Sequence, residues 1–351
     1  MHNQPNSLVS DKIRVTLYQR HPYGANFSVE RLFNVVRKAL PGDIDITVAI
    51  SRFVSRGVLG RIFNMVEASL RQGDVNHVTG DVQFLACLLC KKRTLLTILD
   101  LVTLYRLKGW RRKIVLFIWY WLPIKRAAVV SVISESTKRD LVRHVKVNPL
   151  KVRVVHCPVS TDFHLAAREF NASKPFILQV GTGLNKNVER VSKALKGIPC
   201  HLRIIGELTE NQLSILHCCV IDYSSVSCIP DEQVVYEFRR CDFLVFASTY
   251  EGFGLPILEA QATGRPVVTS NIYSMPEVAG NAACLVDPFD VASIREGILK
   301  VIKNSLYREE LVRLGIENVE RFKPDIIARQ YAEIYRGLFA ASERSVEKYR
   351  E

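Results

Sequence analysis

The chain has 351 residues, enough for about two domains that each bury a core of their own. No apolar run approaches the roughly 20 residues that span a bilayer, and the polar N-terminus lacks a secretory signal, so a membrane-spanning or secreted protein is not predicted. The net charge of +13 is uneven: residues 1–165 hold 26 Lys and Arg against 11 Asp and Glu, and the rest holds 22 against 24. We therefore expect a cytoplasmic protein whose first half meets an anionic partner, namely phospholipid headgroups, a lipid-pyrophosphate acceptor or nucleic acid.

Short strands rich in aliphatic and β-branched residues alternate with helical stretches along the whole chain. In the first half these strands are predicted at Ile13–Tyr18, Ile44–Ile50, Val75–Val78, Thr94–Leu99, Ala128–Ile133 and Val152–His156. In the second half they are predicted at Phe176–Val180, Leu202–Ile205, Phe243–Phe246, Pro266–Thr269 and Ala283–Val286. Two such series predict an α/β protein of two doubly wound domains, with the junction in the polar stretch Pro158–Pro175.

Two places in the first half are typical of ligand contacts in open α/β sheets. The loop His21–Ser28 follows the first strand and contains Gly24, although one glycine in a loop fits an ordinary turn equally well. His77 lies near the carboxyl end of its strand, where ligands of such sheets gather. A lone histidine is more often a structural residue, so this alternative stays open.

The stretch Tyr105–Arg126 combines basic residues with aromatic and aliphatic ones. This is the composition of a helix that lies in a membrane interface, although its apolar side could equally belong to the core.

In the second half, Gly181 ends a strand and is followed by Thr182, Lys186 and Asn187 before the helix predicted at 188–196. Amides at a helix start, with a lysine beside them, are typical of a phosphate-binding turn. Nine cysteines lie mostly in apolar stretches, and no second pair accompanies Cys87 and Cys90 at zinc-ligand spacing, so no metal site is predicted.

The segment Glu251–Glu259 is the most informative part of the chain. It follows a buried strand and leads into a helix in which Pro256 suits the first position. The amides of Phe253, Gly254 and Leu255 then have no intrahelical acceptor, and they attract phosphate or sugar oxygens. Glu259, about one turn into the helix, can direct its carboxylate at the same ligand, where it would accept hydrogen bonds from vicinal hydroxyls.

These residues resemble the Glu-x7-Glu motif of the retaining glycosyltransferases of family 4, whose two Rossmann-like domains facing a cleft form the GT-B architecture. The resemblance extends from Asp74 to about Asp290, and it includes Ile133–Thr137, Val180–Asn187, Gly264–Ser270 and Met275–Gly280. It implies an N-terminal acceptor-binding domain over residues 1–163, a C-terminal nucleotide-sugar-binding domain over 172–322, and a final helix over 323–345 that crosses back onto the first domain.

The resemblance also implies roles for individual residues. Glu251 would contact the donor-sugar hydroxyls and Glu259 the ribose, with the backbone of Gly252, Phe253, Gly254 and Leu255 beside them. Lys186 would bind the pyrophosphate with Gly181 and Thr182, although Thr182 and Asn185 stand where family members often carry an arginine. The first loop would reach the donor phosphates through Gly24, Ala25 and Asn26.

Two further positions are compared with the family's active site. His77 resembles the family histidine that contacts the donor sugar, so the catalytic set implied is His77, Glu251 and Lys186. Leu99 stands before Asp100, where many relatives have a histidine. Leucine cannot donate, accept or titrate, so either acceptor recognition differs here or some activity has been lost.

The function implied is metal-independent, retaining transfer of a hexose from a UDP- or GDP-sugar to a glycan or lipid-linked acceptor, in the synthesis of cell-surface polysaccharide or glycolipid. No cofactor is expected besides this donor substrate, and the basic half is expected to touch an anionic membrane at the inner face of the plasma membrane. The alternatives are a noncatalytic sugar-nucleotide-binding protein and another GT-B enzyme such as an epimerase. A nucleic-acid partner is not predicted, because no recognised nucleic-acid motif accompanies the basic residues.

Overall fold

The computed structural model describes residues 12–22 and 28–347, which form two units. The first unit contains the residues up to Val132, Asp140–Val155 and the final helix from Asp325. The second unit contains Ile133–Arg139 and His156–Pro324. Each unit has a six-stranded sheet in which all strands are parallel, so the predicted α/β fold with two doubly wound sheets is confirmed.

The sheet of the first unit has the strand order β2-β1-β3-β4-β5-β6. Its strands are β1 (Ile13–Gln19), β2 (Ile44–Ile50), β3 (Val75–Thr79), β4 (Thr94–Ile98), β5 (Val129–Val132) and β6 (Val152–Val154). All six lie within a residue or two of the predicted positions. β3 and β4 are buried along their whole length, as expected for central strands of a parallel sheet that is covered on both faces.

Helices cover this sheet. They are α1 (Ser28–Lys38), α2 (Val58–Leu70), α3 (Val102–Arg106), α4 (Gly109–Val115), α5 (Leu122–Arg126) and the part of α6 (Glu135–Val145) that follows Arg139. Between α4 and α5 the chain continues as a π-helical turn, Leu116–Trp121, just before Pro123. Proline has no amide hydrogen for the helical ladder, and such irregular turns accommodate the loss.

The sheet of the second unit has the order β12-β11-β10-β7-β8-β9. Its strands are β7 (Phe176–Val180), β8 (His201–Ile205), β9 (Tyr223–Val226), β10 (Phe243–Phe246), β11 (Val267–Ser270) and β12 (Cys284–Val286). β9 was not predicted, because this edge strand is short and its two central residues are serines. β7 and β10 are neighbours, and the chain proceeds outward from them in opposite directions, which makes them the topological switch point of this sheet.

Three helices of the second unit begin at capping side chains. Thr209 and Gln212 form a reciprocal capping box, and the side chains of Asp290 and Asn304 accept hydrogen bonds from the first turns that follow them. The helices are α7 (Val188–Leu195), α8 (Glu210–Cys218), α9 (Asp231–Arg240), α10 (Leu255–Ala262), α11 (Met275–Ala279), α12 (Val291–Lys303) and α13 (Ser305–Val319).

The last helix, α14 (Pro324–Glu347), packs on the first unit. The Tyr331 ring lies 5.8 Å from that of Phe33, and Arg336 forms a bidentate ion pair with Asp43 at 2.8 Å. In the described part of the chain, no helix combines the length and the apolar character needed to cross a membrane.

The polar stretch that was predicted as the junction belongs to the second unit. The carboxylate of Asp242, at the start of β10, accepts hydrogen bonds from Arg168 Nε at 2.9 Å and from the backbone amides of Asn171 and Phe176 at 3.3 and 2.7 Å. Asp242 is buried, so these bonds fix the stretch against the sheet. The chain passes into the second unit between Val155 and His156, just before this stretch.

Candidate functional site

The candidate site lies at the switch point of the second sheet. The loop after β7 carries Lys186, and the loop after β10 carries Glu251. The two loops are joined directly, because the amide of Thr249 donates to the carbonyl of Asn185 at 2.8 Å. Ligands of open parallel sheets bind at the carboxyl ends of such diverging strands.

Lys186 is paired with Glu251. Its Nζ lies 2.6 Å from Glu251 Oε1, which also accepts a hydrogen bond from Asn185 Nδ2 at 3.2 Å. Both side chains remain partly accessible, with 21% of Lys186 and 13% of Glu251 exposed. The ammonium also lies 4.6 Å from the ring centroid of Phe246, a cation–π contact. The structure thus brings together the predicted lysine and the predicted first carboxylate.

The turn that carries Lys186 needs a glycine at its start. Gly181 has φ +88°, and a Cβ there would lie 2.9 Å from Lys186 Cε, because the lysine side chain runs across the glycine. The buried amide of Gln179 donates to the Lys186 carbonyl at 2.8 Å and fixes the end of the turn. The side chain of Thr182 lies against Gly206, and the Thr182 carbonyl accepts a hydrogen bond from Gln212 Nε2 at 2.8 Å. Threonine is uncharged, so this residue supplies no positive charge at a position where family members often have arginine.

Two hydroxyls hold the peptide group between Gly252 and Phe253. Ser134 Oγ donates to the Gly252 carbonyl at 2.8 Å, and Thr137 Oγ1 donates to the same oxygen at 3.2 Å. In a trans peptide the N–H points away from the C=O. The Phe253 N–H is therefore directed away from these hydroxyls, and its orientation is set by Ser134 and Thr137.

Ser274 orients the two neighbouring peptide groups in the same way. Its Oγ lies 2.9 Å from the Glu251 carbonyl oxygen and 2.7 Å from that of Phe253, so its one proton is shared between them. The N–H groups of Gly252 and Gly254 point away from Ser274. Gly254 has φ +115° and precedes α10, which begins at Leu255, one residue earlier than predicted. A row of oriented amides at a helix start suits phosphate or sugar oxygens.

Glu277 holds the start of α6, on which Thr137 lies. Its carboxylate accepts hydrogen bonds from the amides of Glu135 at 2.8 Å and Ser136 at 3.3 Å, and it pairs with His156 Nε2 at 2.9 Å. Burial alone would raise the pKa of the Glu277 carboxyl, but these hydrogen bonds outweigh burial and lower it. The charged carboxylate therefore stabilises the helix end that supports the Gly252 carbonyl.

Glu259 lies one turn into α10 and is partly buried, so both predicted carboxylates belong to the connection after β10. The sequence did not single out the supporting hydroxyls of Ser134, Thr137 and Ser274. The matched segments Ile133–Thr137 and Met275–Gly280 were the available signal, because these hydroxyls lie within or beside them.

The first unit has its own switch point, between β1 and β3. Arg20, just after β1, donates to Glu30 at 2.8 Å and to Asp81 at 2.5 Å. The Leu99 side chain lies against Gly80, where a Cβ would be 2.6 Å from Leu99 Cδ1. The sequence did not identify this charged cluster. Gly24, Ala25 and Asn26 lie outside the described residues.

His77 requires a correction. Its ring is completely buried, with Nδ1 2.8 Å from the Tyr335 hydroxyl and Nε2 2.7 Å from Thr97 Oγ1. Phe33 and Tyr331 pack around it. Both ring nitrogens are thus engaged inside the first unit, and in this structure His77 has the structural role rather than the predicted contact with a sugar.

The burial of His77 predicts a pH-dependent stability. Burial lowers the pKa of this imidazole to about 3, whereas the pKa of a histidine in an unfolded chain is about 6.5. Between these values the unfolded state binds more protons, so the free energy of unfolding falls as the pH drops from about 6.5 towards about 3. Melting temperatures at about pH 7 and about pH 5 should show a smaller acid-induced loss in His77→Gln than in the wild type. An NMR titration that gives His77 an ordinary pKa would contradict the prediction even if the variant folds poorly.

Metal ligands are not grouped in the described part of the chain: no set of three His, Cys, Asp or Glu side chains is placed to hold an ion. Near the switch point of the second sheet, the charged side chains of Lys186 and Glu251 precede the start of α10.

Family models match nearly the whole chain. "Glycosyltransferase Family 4" matches residues 6–163, and "Glycosyl transferases group 1" matches residues 160–318. The O-antigen chain mannosyltransferase B of Escherichia coli is 39% identical over 108 residues, which are 31% of this chain and 28% of that protein. The first curated relatives are matched over 26% to 59% of their own length.

Solved structures share the fold at low identity. Sucrose-phosphate synthase from Thermosynechococcus elongatus superimposes with a TM-score of 0.77 at 18% identity, over 94% of this chain and 100% of that one. Anabaena Alr3699/HepE in complex with UDP-glucose gives a TM-score of 0.72 at 13% identity, over 93% of this chain and 100% of that one.

Proposed function

We propose, since this chain belongs to glycosyltransferase family 4 and has the GT-B fold, that it transfers a hexose from a nucleoside diphosphate sugar to a hydroxyl of a glycan or lipid-linked acceptor in cell-surface polysaccharide synthesis. The observation that carries this proposal is the convergence of Lys186 and the oriented amides after Glu251 at the switch point of the second sheet. We further propose mannose as the sugar, because the similar Escherichia coli protein is named a mannosyltransferase.

Each group has a distinct task in this proposal. An ammonium group has three N–H donors, so Lys186 can keep its bond to Glu251 while it donates to the donor pyrophosphate. Glu251 Oε1 is engaged by Lys186 and Asn185, and Oε2 then accepts hydrogen bonds from sugar hydroxyls. The amides of Gly252, Phe253 and Gly254 receive the remaining sugar or phosphate oxygens.

Retention and metal independence belong to the same proposal. The donor phosphate takes the acceptor proton on the face from which it leaves, so no protein nucleophile is required. Glu251 is held as a hydrogen-bond acceptor by a cation and an amide, which suits orientation better than attack. Lys186 and the start of α10 offset the charge that develops on the leaving diphosphate.

A noncatalytic sugar-nucleotide-binding protein is the second candidate. It is favoured by Leu99, which fills the position of a polar family residue and packs on Gly80. Such a protein would bind the donor through the same second unit without transferring the sugar.

Three measurements separate these proposals. We expect GDP to raise the melting temperature more than UDP does. We expect GDP-mannose and an oligosaccharide acceptor to yield an α-linked product, at the same rate with and without EDTA. NMR of the anomeric proton reports retention. Stabilisation without any product would favour the binding protein, a UDP preference would remove the mannose assignment, and activity lost in EDTA but restored by Mg²⁺ would remove metal independence.

We also propose that the protein acts at the inner face of the plasma membrane through its first half. The support is the excess of 26 basic over 11 acidic residues in positions 1–165. Each basic residue near an anionic surface contributes on the order of 1 kcal/mol, and salt weakens this attraction.

A further inference from the structure

Helix α2 exposes an unusually apolar face. Val58, Leu59 and Leu70 are 70%, 82% and 81% exposed, and the other large apolar side chains on this face are Ile62, Phe63 and Val66. The opposite side buries Asn64 and Ala68, so the helix is fixed to the first unit by its other face. Isolated exposed apolar residues are ordinary, but a continuous patch of this kind marks a binding surface.

A second apolar helical segment lies beside α2. The exposed large side chains between Gly109 and Arg126 are Trp110, Ile114, Phe117, Ile118 and Trp121. Arg61 of α2 stacks on Trp119 of this segment, with its guanidinium carbon 4.9 Å from the ring centroid. Both α2 and α5 pack against the turn Gln83–Cys87, so the two exposed faces belong to neighbouring elements. We name these exposed side chains of α2 and of Gly109–Arg126 the apolar ridge.

The surroundings of the apolar ridge are strongly basic. Residues 51–72 and 101–127 contain 11 Lys and Arg and one acidic residue, Glu67. Glu67 is itself paired with Arg71 at 2.8 Å. Exposed basic side chains include Arg52, Arg111 and Lys113. Apolar and aromatic side chains surrounded by Lys and Arg are the composition of helices that lie in the interface of anionic membranes.

We propose that the apolar ridge inserts into the interfacial layer of a bilayer that contains anionic lipids, with α2 as its principal inserted helix. This inference deepens the membrane contact proposed above and rests on it. A second copy of the chain fits poorly, because a symmetric contact would bring two basic surfaces together. Nucleic acid would engage the basic residues but would leave the apolar side chains of α2 without a partner. With 13 residues, α2 can lie in the membrane interface but is too short to span the bilayer.

The tryptophans provide a built-in probe. The chain has three, Trp110, Trp119 and Trp121, and all belong to the segment beside α2. Vesicles of phosphatidylglycerol and phosphatidylcholine in equal parts should shift the tryptophan emission to shorter wavelength, and brominated lipids should quench it. Vesicles of phosphatidylcholine alone should bind more weakly, and salt should reduce the difference.

The variant Val58→Gln with Leu59→Gln and Leu70→Gln removes apolar surface from α2 without changing charge. We expect its partition onto the anionic vesicles to fall at least about tenfold, because the transferred apolar area is lost. The matched control is Val220→Gln with Leu306→Gln, at positions of the second unit that are 86% and 76% exposed. It should bind vesicles like the wild type, and both variants should transfer sugar to a water-soluble acceptor at the wild-type rate.

Three outcomes would overturn the inference. Salt-sensitive vesicle binding that the α2 variant retains in full would leave the charge-based contact standing without the apolar ridge. Binding without any change in tryptophan emission would have the same meaning. Emission shifts that depend on protein concentration in the absence of vesicles, with a larger particle in light scattering, would identify the ridge as a contact between copies. Because transfer to a soluble acceptor is measured separately, failure of the ridge is distinguishable from failure of the proposed enzyme.

Discussion

Replacing Lys186 with alanine should lower the transfer rate by about 100-fold or more while the protein stays folded. The loss of one preorganised charge that stabilises a developing anion typically has an effect of this size. The stability should change little, because the side chain is partly exposed and its partner Glu251 keeps a second hydrogen bond from Asn185. Calorimetry with the nucleoside diphosphate and single-turnover kinetics measure the two effects separately.

Companion variants test the assignment of the donor site. Glu259→Ala should weaken donor binding by about tenfold, in line with the loss of a charge-assisted hydrogen bond. Lys186→Ala combined with Glu251→Gln also removes the carboxylate charge that Lys186 paired, and it should be as inactive as Lys186→Ala alone. Lys303→Ala, on α12, is the surface control. Unchanged affinity for the nucleoside diphosphate in both Lys186→Ala and Glu259→Ala would remove the donor-site assignment.

The double variant Ser134→Ala with Thr137→Val should lower kcat/KM for the donor by about tenfold or more. Both hydroxyl bonds to the Gly252 carbonyl are lost, so the Phe253 N–H is no longer held in one orientation. Ser134 Oγ also accepts from the Thr137 amide at 3.0 Å, so its loss removes the cap of α6 and about 1 kcal/mol of stability.

Conservative changes separate positioning from stability. The single variant Thr137→Ser keeps the hydroxyl and should retain most of the wild-type activity. The single variant Thr137→Val keeps the shape of the side chain but should lose activity. Melting temperatures of the two single variants should be similar. If Thr137→Ser is as inactive as Thr137→Val, or if the double variant turns over at the wild-type rate, the hydroxyls do not orient the donor loop.

Hydrophobic periodicity was sufficient to predict the strands but not every boundary. The buried strands of both sheets stand out because they are continuous apolar runs, whereas β9 is an edge strand with Ser224 and Ser225 at its centre. The place of the polar stretch in the second unit depends on one buried carboxylate, Asp242, which lies 66 to 74 residues away from its partners in the sequence. Contacts of that sequence separation leave no local pattern.

The charged residues of the site could be predicted from the sequence, whereas the hydroxyl groups that hold its backbone could not. Glu251 and Lys186 follow strand ends, so their approach to each other could be expected from the doubly wound topology. His77 has the same type of sequence context, yet its nitrogens are engaged by Thr97 and by Tyr335, which is 258 residues away. The packing of α14 on the first unit, which the local sequence around His77 does not reveal, completes the burial of this ring.

The pairing of Lys186 with Glu251 has a consequence for the end of the catalytic cycle. A pocket that held several unpaired cations would retain the nucleoside diphosphate product long after the sugar had left. Here the ammonium of Lys186 lies 2.6 Å from a carboxylate oxygen of Glu251, so its charge is already compensated within the protein. The product therefore leaves a site in which the ammonium keeps a partner, and its departure exposes no isolated charge. In the enzyme proposed above, we therefore expect the ion pair to speed release of the nucleoside diphosphate product.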